Sequence, residues 1–207
     1  MTCGLGIDLG IKTYVSLSNG MTFKGIEKSK TFQEKERNLR KEQGKLVKLR
    51  KGKRRRSYEA CGAYLAQKKK VQALFDSVKK LKELYIDKII EQILRLNPVY
   101  IAIEHLDIRG MTKGSMAKPL LARKFNYFRK ALTKKCKEKN VELRLVDTYF
   151  PSSKKCSRCG NVKKSLLLEE RIYYCEKCGL ELDRDLNASI NLRDATDYKL
   201  AFKLKAS

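Results

Sequence analysis

Apolar and polar positions alternate with a period of two near the start of the chain. Cys3, Leu5 and Ile7 alternate up to Asp8, and Tyr14–Ser18 leads into Asn19-Gly20, a pair that favours a tight hairpin between apolar runs. These positions predict a strand meander over residues 3–25, with Met21–Lys24 as the returning strand. From Lys28 the spacing lengthens. Residues 28–56 carry few apolar positions (Phe32, Leu39, Leu46, Val47, Leu49) and read as a helix with a very wide polar face. Over 58–96, Val71, Leu74, Val78, Leu81, Tyr85, Ile89, Ile93 and Leu96 recur every three or four residues, which predicts a second helix with a core-facing stripe, stopped by Pro98. Val99–Ile103 is a β-branched and aromatic run that reads as a buried strand ending at Glu104. A helix follows over 119–139, with Leu120, Leu121, Phe125, Phe128 and Leu132 facing inward. Val141–Val146 alternates with charge as a strand, and a final helix closes the chain. This order predicts a mixed α/β fold.

Charge narrows the function. The 207 residues hold 48 Lys and Arg against 23 Asp and Glu, a formal net charge of +25. Such an excess repels itself in a compact protein, and the usual reason to carry it is a polyanionic partner, nucleic acid before an anionic membrane. Residues 28–56 alone contain fourteen Lys and Arg against three Asp and Glu, ending in Arg54, Arg55 and Arg56. A mixed charge run is an ordinary solvated face; a one-signed run points to phosphates. There is no run of 18 or more apolar residues and no basic-then-apolar leader at the start. The expected location is therefore the cytoplasm, without membrane association. Thiols are reduced there, so the seven cysteines suggest metal ligation or burial.

Two constellations carry chemistry. Cys156-Ser157-Arg158-Cys159-Gly160 and Cys175-Glu176-Lys177-Cys178-Gly179 are paired knuckles. Two residues between cysteines let both sulfurs reach one ion, and the following glycine permits the tight turn. Four thiolates suit Zn²⁺ and leave no open position, so the expected site is a structural zinc centre. An iron–sulfur cluster is the alternative for the same residues. The other constellation is acidic. Asp8 ends the first strand, Glu104 ends the buried strand, and Asp185 starts the last helix within Leu182-Asp183-Arg184-Asp185-Leu186-Asn187. Carboxylates at such positions are costly to bury unless paired or bound to metal. Taken singly, each has a plainer explanation: a turn cap at Asp8, a lysine partner for Glu104, a helix N-cap at Asp185.

The motifs together carry a resemblance. Gly6–Lys12 resembles the first RuvC motif of the TnpB family, and Ile101–Met111 resembles the second. Pro151–Gly160 is similar to the approach to that family's zinc ribbon, and Asp183–Leu192 to its third RuvC motif. The motifs come in the family's order along essentially the whole chain; type V CRISPR nucleases are relatives. The resemblance implies an RNase H-like (RuvC) fold with a helical insertion at about 28–97. Residues 1–150 would form the first part of the nuclease core, 151–182 the zinc ribbon, and 183–207 the last motif and helix. It further implies that Asp8, Glu104 and Asp185 converge on a pair of Mg²⁺ ions, with Asp8 bridging. Asp185 is preferred over Asp183 because the family's acid stands two residues before the asparagine. Three departures stand out. Typical members carry a long N-terminal half that grips guide RNA, whereas this chain begins almost at the first motif. Asp87-Lys88 stands where a His-Lys pair is frequent, and Ser189 replaces an alanine without expected consequence.

The implied function is RNA-guided DNA endonuclease activity, with guide RNA and single-stranded target DNA in the nuclease groove. The family's longer half is then absent, shortened, or supplied by another chain, either a separate N-terminal-type subunit or a second copy. Lys12, Arg54, Arg55, Arg56, Lys154 and Lys155 are the expected phosphate contacts. A non-cleaving guided binder, a partner subunit or a transposon relic is the alternative, disfavoured because all three acids are present. An unguided resolvase-like nuclease is disfavoured by the ribbon between the second and third motifs.

Overall fold

The computed structural model describes residues 4–51, 57, 61–105, 124–167 and 169–204. They fall into two compact units, one of residues 1–25 with 89–207 and one of Ile26–Lys88.

The first unit is built on a six-stranded sheet. Its strands are β1 (Leu5–Leu9), β2 (Val15–Leu17), β3 (Thr22–Phe23), β4 (Tyr100–Glu104), β5 (Glu142–Val146) and β8 (Tyr198–Leu200), in the order β3-β2-β1-β4-β5-β8. β1, β4 and β5 run parallel in the centre, while β2, β3 and β8 pair antiparallel outside them. The expected meander forms: the Leu17 amide donates to the Met21 carbonyl across the Asn19-Gly20 turn, although the returning strand is only two residues long. β4 is flanked on both sides, and Ile101, Ala102 and Ile103 are at most 1% exposed. An unbroken apolar run is what a strand covered on both faces requires.

Helix α3 (Phe125–Glu138) packs Phe125, Phe128, Leu132 and Cys136 inward, and Tyr14 stacks on Phe125 with ring centroids 5.8 Å apart. Leu120 and Leu121, expected to continue this face, lie outside the described residues. Helix α4 (Arg184–Arg193) lies against β1, β2 and β4. Gly6 makes that approach feasible. A Cβ built there would stand 1.8 Å from the Ser189 carbonyl oxygen and 2.7 Å from the Arg193 amide nitrogen, both backbone atoms. Gly6→Ala therefore has to push the helix off the strand, and an equilibrium unfolding titration should register a loss of about 3 kcal/mol.

The expected final helix is α4; after it the described chain turns and adds β8 to the edge of the sheet, with Val146 opposite Tyr198. Arg144 of β5 lies between the Tyr100 and Tyr198 rings, 3.4 and 4.5 Å from their centroids, and helps hold that edge. The remaining strands, β6 (Ile172–Tyr174) and β7 (Glu181–Asp183), form a separate two-stranded hairpin.

The second unit contains helix α1 (Lys30–Arg50) and most of helix α2 (Gly62–Arg95). Phe32 and Leu39 of α1 bury against Val78, with Val71, Leu74 and Leu81 alongside. The sparse apolar positions of the basic segment are thus one narrow packing seam. Glu42 is buried there. Gln67 donates to it at 2.8 Å, Lys45 at 2.8 Å, and Lys70 sits at 3.3 Å, so these donors hold its carboxyl down at about 2. At the far end of α2, Ile89, Ile90, Ile93 and Leu94 are buried in the sheet unit. Leu96, expected on the apolar stripe, is instead 41% exposed. The helix has already ended at Arg95, and Asn97 takes a left-handed φ of 52° before Pro98, so Leu96 leaves the helical register.

Candidate active site and metal centre

The sheet brings two acids side by side. Ile7 of β1 pairs with Ile103 of β4, so Asp8 and Glu104 are each the next residue along adjacent parallel strands. The first turn of α4 adds Asp185. Its Oδ2 lies 4.0 Å from where a Cβ on Gly10 would be, two residues past Asp8. The helix is capped by Asp183, whose Oδ1 accepts from the Asp185 and Leu186 amides, both at 3.0 Å. The plainer explanation of Asp185 as N-cap is therefore excluded: Asp183 does that work, and Asp185 remains free to face the strand ends.

All three carboxylates are half-buried. Asp8 is raised from an ordinary 3.8 to about 7, first by burial and then by the charges of Asp185 and Glu104, with Arg184 partly opposing. Burial lifts Glu104 from 4.5 to about 7. Asp185 is also raised, by burial and by Asp183, against the lowering charges of Arg171, Arg184 and Lys12. Burial thus raises all three acids, and Asp8 alone carries the added charge of both others, so a nearby cation would relieve it. Among the described residues, their oxygens do not share the tight mutual spacing of the four cysteine sulfurs.

This electrostatic strain has a measurable sign. An acid raised in the fold stabilises it fully below its ordinary value, and that stability is lost as pH rises towards 7. The metal-free protein should therefore lose stability between pH 4 and 7 at this cluster. Asp8→Asn should remove about 1–2 kcal/mol of that loss, after discounting for solvent screening. Thermal melts of both proteins at pH 5 and 7.5 measure the difference, and Mg²⁺ should narrow it.

The cysteines form a second centre. Cys156 Sγ lies 3.6 Å from Cys178 Sγ, and Cys159 Sγ lies 3.6 Å from Cys175 Sγ. The four ligand atoms all fall within 4.8 Å of one another. A tetrahedral ion with bonds of about 2.3 Å would place its sulfurs about 3.8 Å apart, so the set fits one metal ion. The two knuckles are built alike. The Gly160 amide donates to the Cys156 carbonyl at 2.9 Å and the Gly179 amide to the Cys175 carbonyl at 2.8 Å. Both glycines take positive φ, 74° and 67°, which explains their place after each pair. Burial pushes the Cys175 thiol up, but hydrogen bonds from the Cys178 and Lys177 amides and the neighbouring sulfurs outweigh it and bring it to about 6. Cys178, desolvated beside the same sulfurs, is pushed up to about 12. Four adjacent thiols cannot all ionise without a cation among them.

Of the expected phosphate contacts, Lys12, Lys154 and Lys155 fall among the described residues. Lys12 is exposed and its charge reaches Asp185. Lys154 Nζ donates to the Lys164 carbonyl at 3.3 Å, and Lys155 Nζ stands 5.3 Å from the centre of the Phe150 ring. Arg54, Arg55 and Arg56 lie outside the described residues. Sequence reading missed Arg171 and Arg184. Both act on Asp185 electrostatically; Arg184 Nη1 is bound at 2.9 Å to the Leu167 carbonyl. Arg171 precedes the hairpin strand β6, and no local motif marks it.

Comparison with known proteins agrees with this layout. Residues 2–115 match the OrfB_IS605 family model, described as a probable transposase, and residues 125–192 match the Cas12f1-like TNB domain. The chain belongs to the TnpB family. A putative RNA-guided DNA endonuclease of Streptomyces pristinaespiralis is 31% identical over 194 residues, covering 92% of this chain and 44% of the relative. A TnpB-like protein of Acanthamoeba polyphaga mimivirus is 35% identical over 80 residues, 39% of this chain and 15% of its own. The fold is similar to Cas12f1 in a complex with guide RNA and target DNA, with a TM-score of 0.57 and 18% identity over 92% of this chain and 49% of that one. The chain thus spans about half the length of the longer relatives that match along it. As a TnpB family member it carries the mixed α/β sheet and the four-cysteine cluster expected from its motifs. Among the described residues, no helix is long and apolar enough to cross a membrane.

Proposed function

We propose that this chain is the nuclease portion of a TnpB-type RNA-guided DNA endonuclease, with an RNase H-like (RuvC) core. The single observation that carries the reading is that Asp8 and Glu104 end neighbouring parallel strands and that Asp8, raised by burial, also feels the charges of Glu104 and of Asp185 at the helix start. These three carboxylates would hold Mg²⁺, and Cys156, Cys159, Cys175 and Cys178 would hold a structural Zn²⁺. Bound Mg²⁺ at such a centre supplies an activated water and charge stabilisation of the leaving 3′ oxygen. The chain's own contribution is to fix the ligands on rigid elements, with Asp185 locked by its capped helix. Arg171 and Lys12 bring positive charge beside Asp185, where a scissile phosphate needs it. The +25 charge suits backbone contact with guide RNA and target DNA, while base pairing would read the sequence.

The test is purification of the chain together with RNA expressed from its flanking locus, followed by incubation with labelled single-stranded and guide-matched double-stranded DNA. Mg²⁺-dependent cleavage confined to guide-matched DNA is the expected result. Arg171→Ala should slow that cleavage about 10- to 100-fold with little change in DNA affinity. RNA retained with no cleavage under any divalent cation would sink the nuclease reading in favour of a guided binder.

A further inference from the structure

Helix α4 carries more than Asp185. Asn187 and Asn191 sit one turn apart on its inner face, 0% and 4% exposed. Asn187 Oδ1 accepts from the Ser157 amide at 3.0 Å, and its Nδ2 donates to the Lys155 carbonyl at 2.8 Å. Asn191 Nδ2 donates to the same Lys155 carbonyl at 2.6 Å and to the Ser152 carbonyl at 2.8 Å. Both asparagines therefore grip one short segment, Ser152–Ser157, from the helix side. That segment contains Cys156, whose amide closes the first knuckle on the Asn161 carbonyl at 2.8 Å.

Two amides buried this deeply would be costly if left unbonded, and an apolar side chain in their place would take these bonds from the Ser157 amide and the Ser152 and Lys155 carbonyls. What asparagine provides is direction: four hydrogen bonds that fix the knuckle's backbone against the helix. Asp185 is two residues from Asn187, in the first turn of that helix. The loop that presents a cluster sulfur and the helix that presents a carboxylate are thus fastened as one piece.

We infer that Asn187 and Asn191 are positioning residues that couple the four-cysteine centre to the carboxylate centre, so that metal in the cysteines sets the cation affinity of Asp8, Glu104 and Asp185. The inference rests on the reading of those three acids as cation ligands. Loss of the cysteine-bound metal would loosen Ser152–Ser157, release α4 from its anchor and let Asp185 drift from Asp8. Residues that orient metal ligands without touching the metal commonly alter affinity about 10- to 100-fold when removed.

Mn²⁺ binding by the full chain, followed by the loss of the free-ion electron paramagnetic resonance signal, tests this without relying on activity. Zinc content is assayed in parallel. Asn187→Ala and Asn191→Ala should each weaken Mn²⁺ binding about 10- to 100-fold while one zinc per chain is retained. Asn191→Asp keeps the volume but turns oxygens towards the Ser152 and Lys155 carbonyls. If added negative charge were all that mattered, it would tighten Mn²⁺ binding; the coupling requires it to weaken. Zinc chelation from the wild-type chain needs no variant to fold, and should weaken Mn²⁺ binding by a similar factor. Chelation from the Asn187→Ala/Asn191→Ala double variant should add little further. Equal loss on chelation in both backgrounds, or unchanged Mn²⁺ affinity in the asparagine variants, overturns the inference. If Asp185→Ala leaves wild-type Mn²⁺ binding untouched, the reading of the acids fails and the coupling falls with it. Binding lost in Asp185→Ala but intact in the asparagine variants refutes the coupling alone.

Discussion

Asp185→Asn should lower DNA cleavage by about a thousandfold or more while leaving RNA and DNA binding near the wild-type level. The replacement keeps the shape of the side chain and its place in the first turn of α4, so the helix survives. What disappears is an anionic ligand at a centre where divalent cations would stabilise developing charge by several kcal/mol. Asp8→Asn and Glu104→Gln should behave alike, because Asp8 and Glu104 are neighbours on paired strands and Asp8 feels both other charges. Asp183→Asn is the informative contrast. Asp183 accepts the Asp185 and Leu186 amides and therefore caps the helix. Asparagine also caps, so its cost should be a few tenths of a kcal/mol at most, with cleavage largely preserved. A single-turnover cleavage assay on the four variants decides the matter. Full activity in Asp185→Asn, or activity lost only in Asp183→Asn, would mean that the wrong acid has been chosen from the pair.

Removal of metal from the cysteines, or Cys175→Ser, should unfold the ribbon while the six-stranded sheet persists. The hairpin of β6 and β7 has three residues per strand, and a two-stranded hairpin that short is marginal in water. Its apolar support is a small cluster of Cys156, Tyr173, Cys175 and Leu180. Structural zinc in comparably small domains contributes on the order of 10–16 kcal/mol of apparent binding energy at neutral pH, which becomes folding energy. Chelation should therefore expose residues between about 151 and 183 to limited proteolysis, and amide exchange there should accelerate strongly. The strands β1, β4 and β5 should stay protected. A ribbon equally protected with and without metal would show that its hydrogen bonds and small core suffice.

Several parts of this protein are written locally in its sequence. Two CxxC-Gly knuckles specify both the sulfur ligands and the turns that present them, since the chemistry needs two sulfurs three positions apart and a glycine that tolerates positive φ. The unbroken apolar run before Glu104 announced a strand covered on both sides, and the +25 charge pointed to a polyanion. Residue spacing alone could not choose between Asp183 and Asp185 or exclude a simple capping role for Asp185. Family resemblance supplied that choice, and the cap geometry shows why the two acids differ: an N-cap accepts amides from the turn that follows it.

Other features became legible only in three dimensions. β8 has three residues and gains its stability from pairing with β5 and from the Arg144–tyrosine stack, so its own pattern carries little signal. Arg171 and Arg184 matter because the ribbon and the helix return to the sheet beside Asp185, not because of any spacing around them. Asn187 and Asn191 read as ordinary helix residues until the knuckle segment is seen folded onto them. Sequence by itself determined which four sulfurs could share a metal ion and which central strand would be buried, because those are properties of neighbouring residues. Tertiary structure decided which charges meet and how the two centres are joined, because electrostatic repulsion and buried hydrogen bonds depend on distances between residues far apart in the chain.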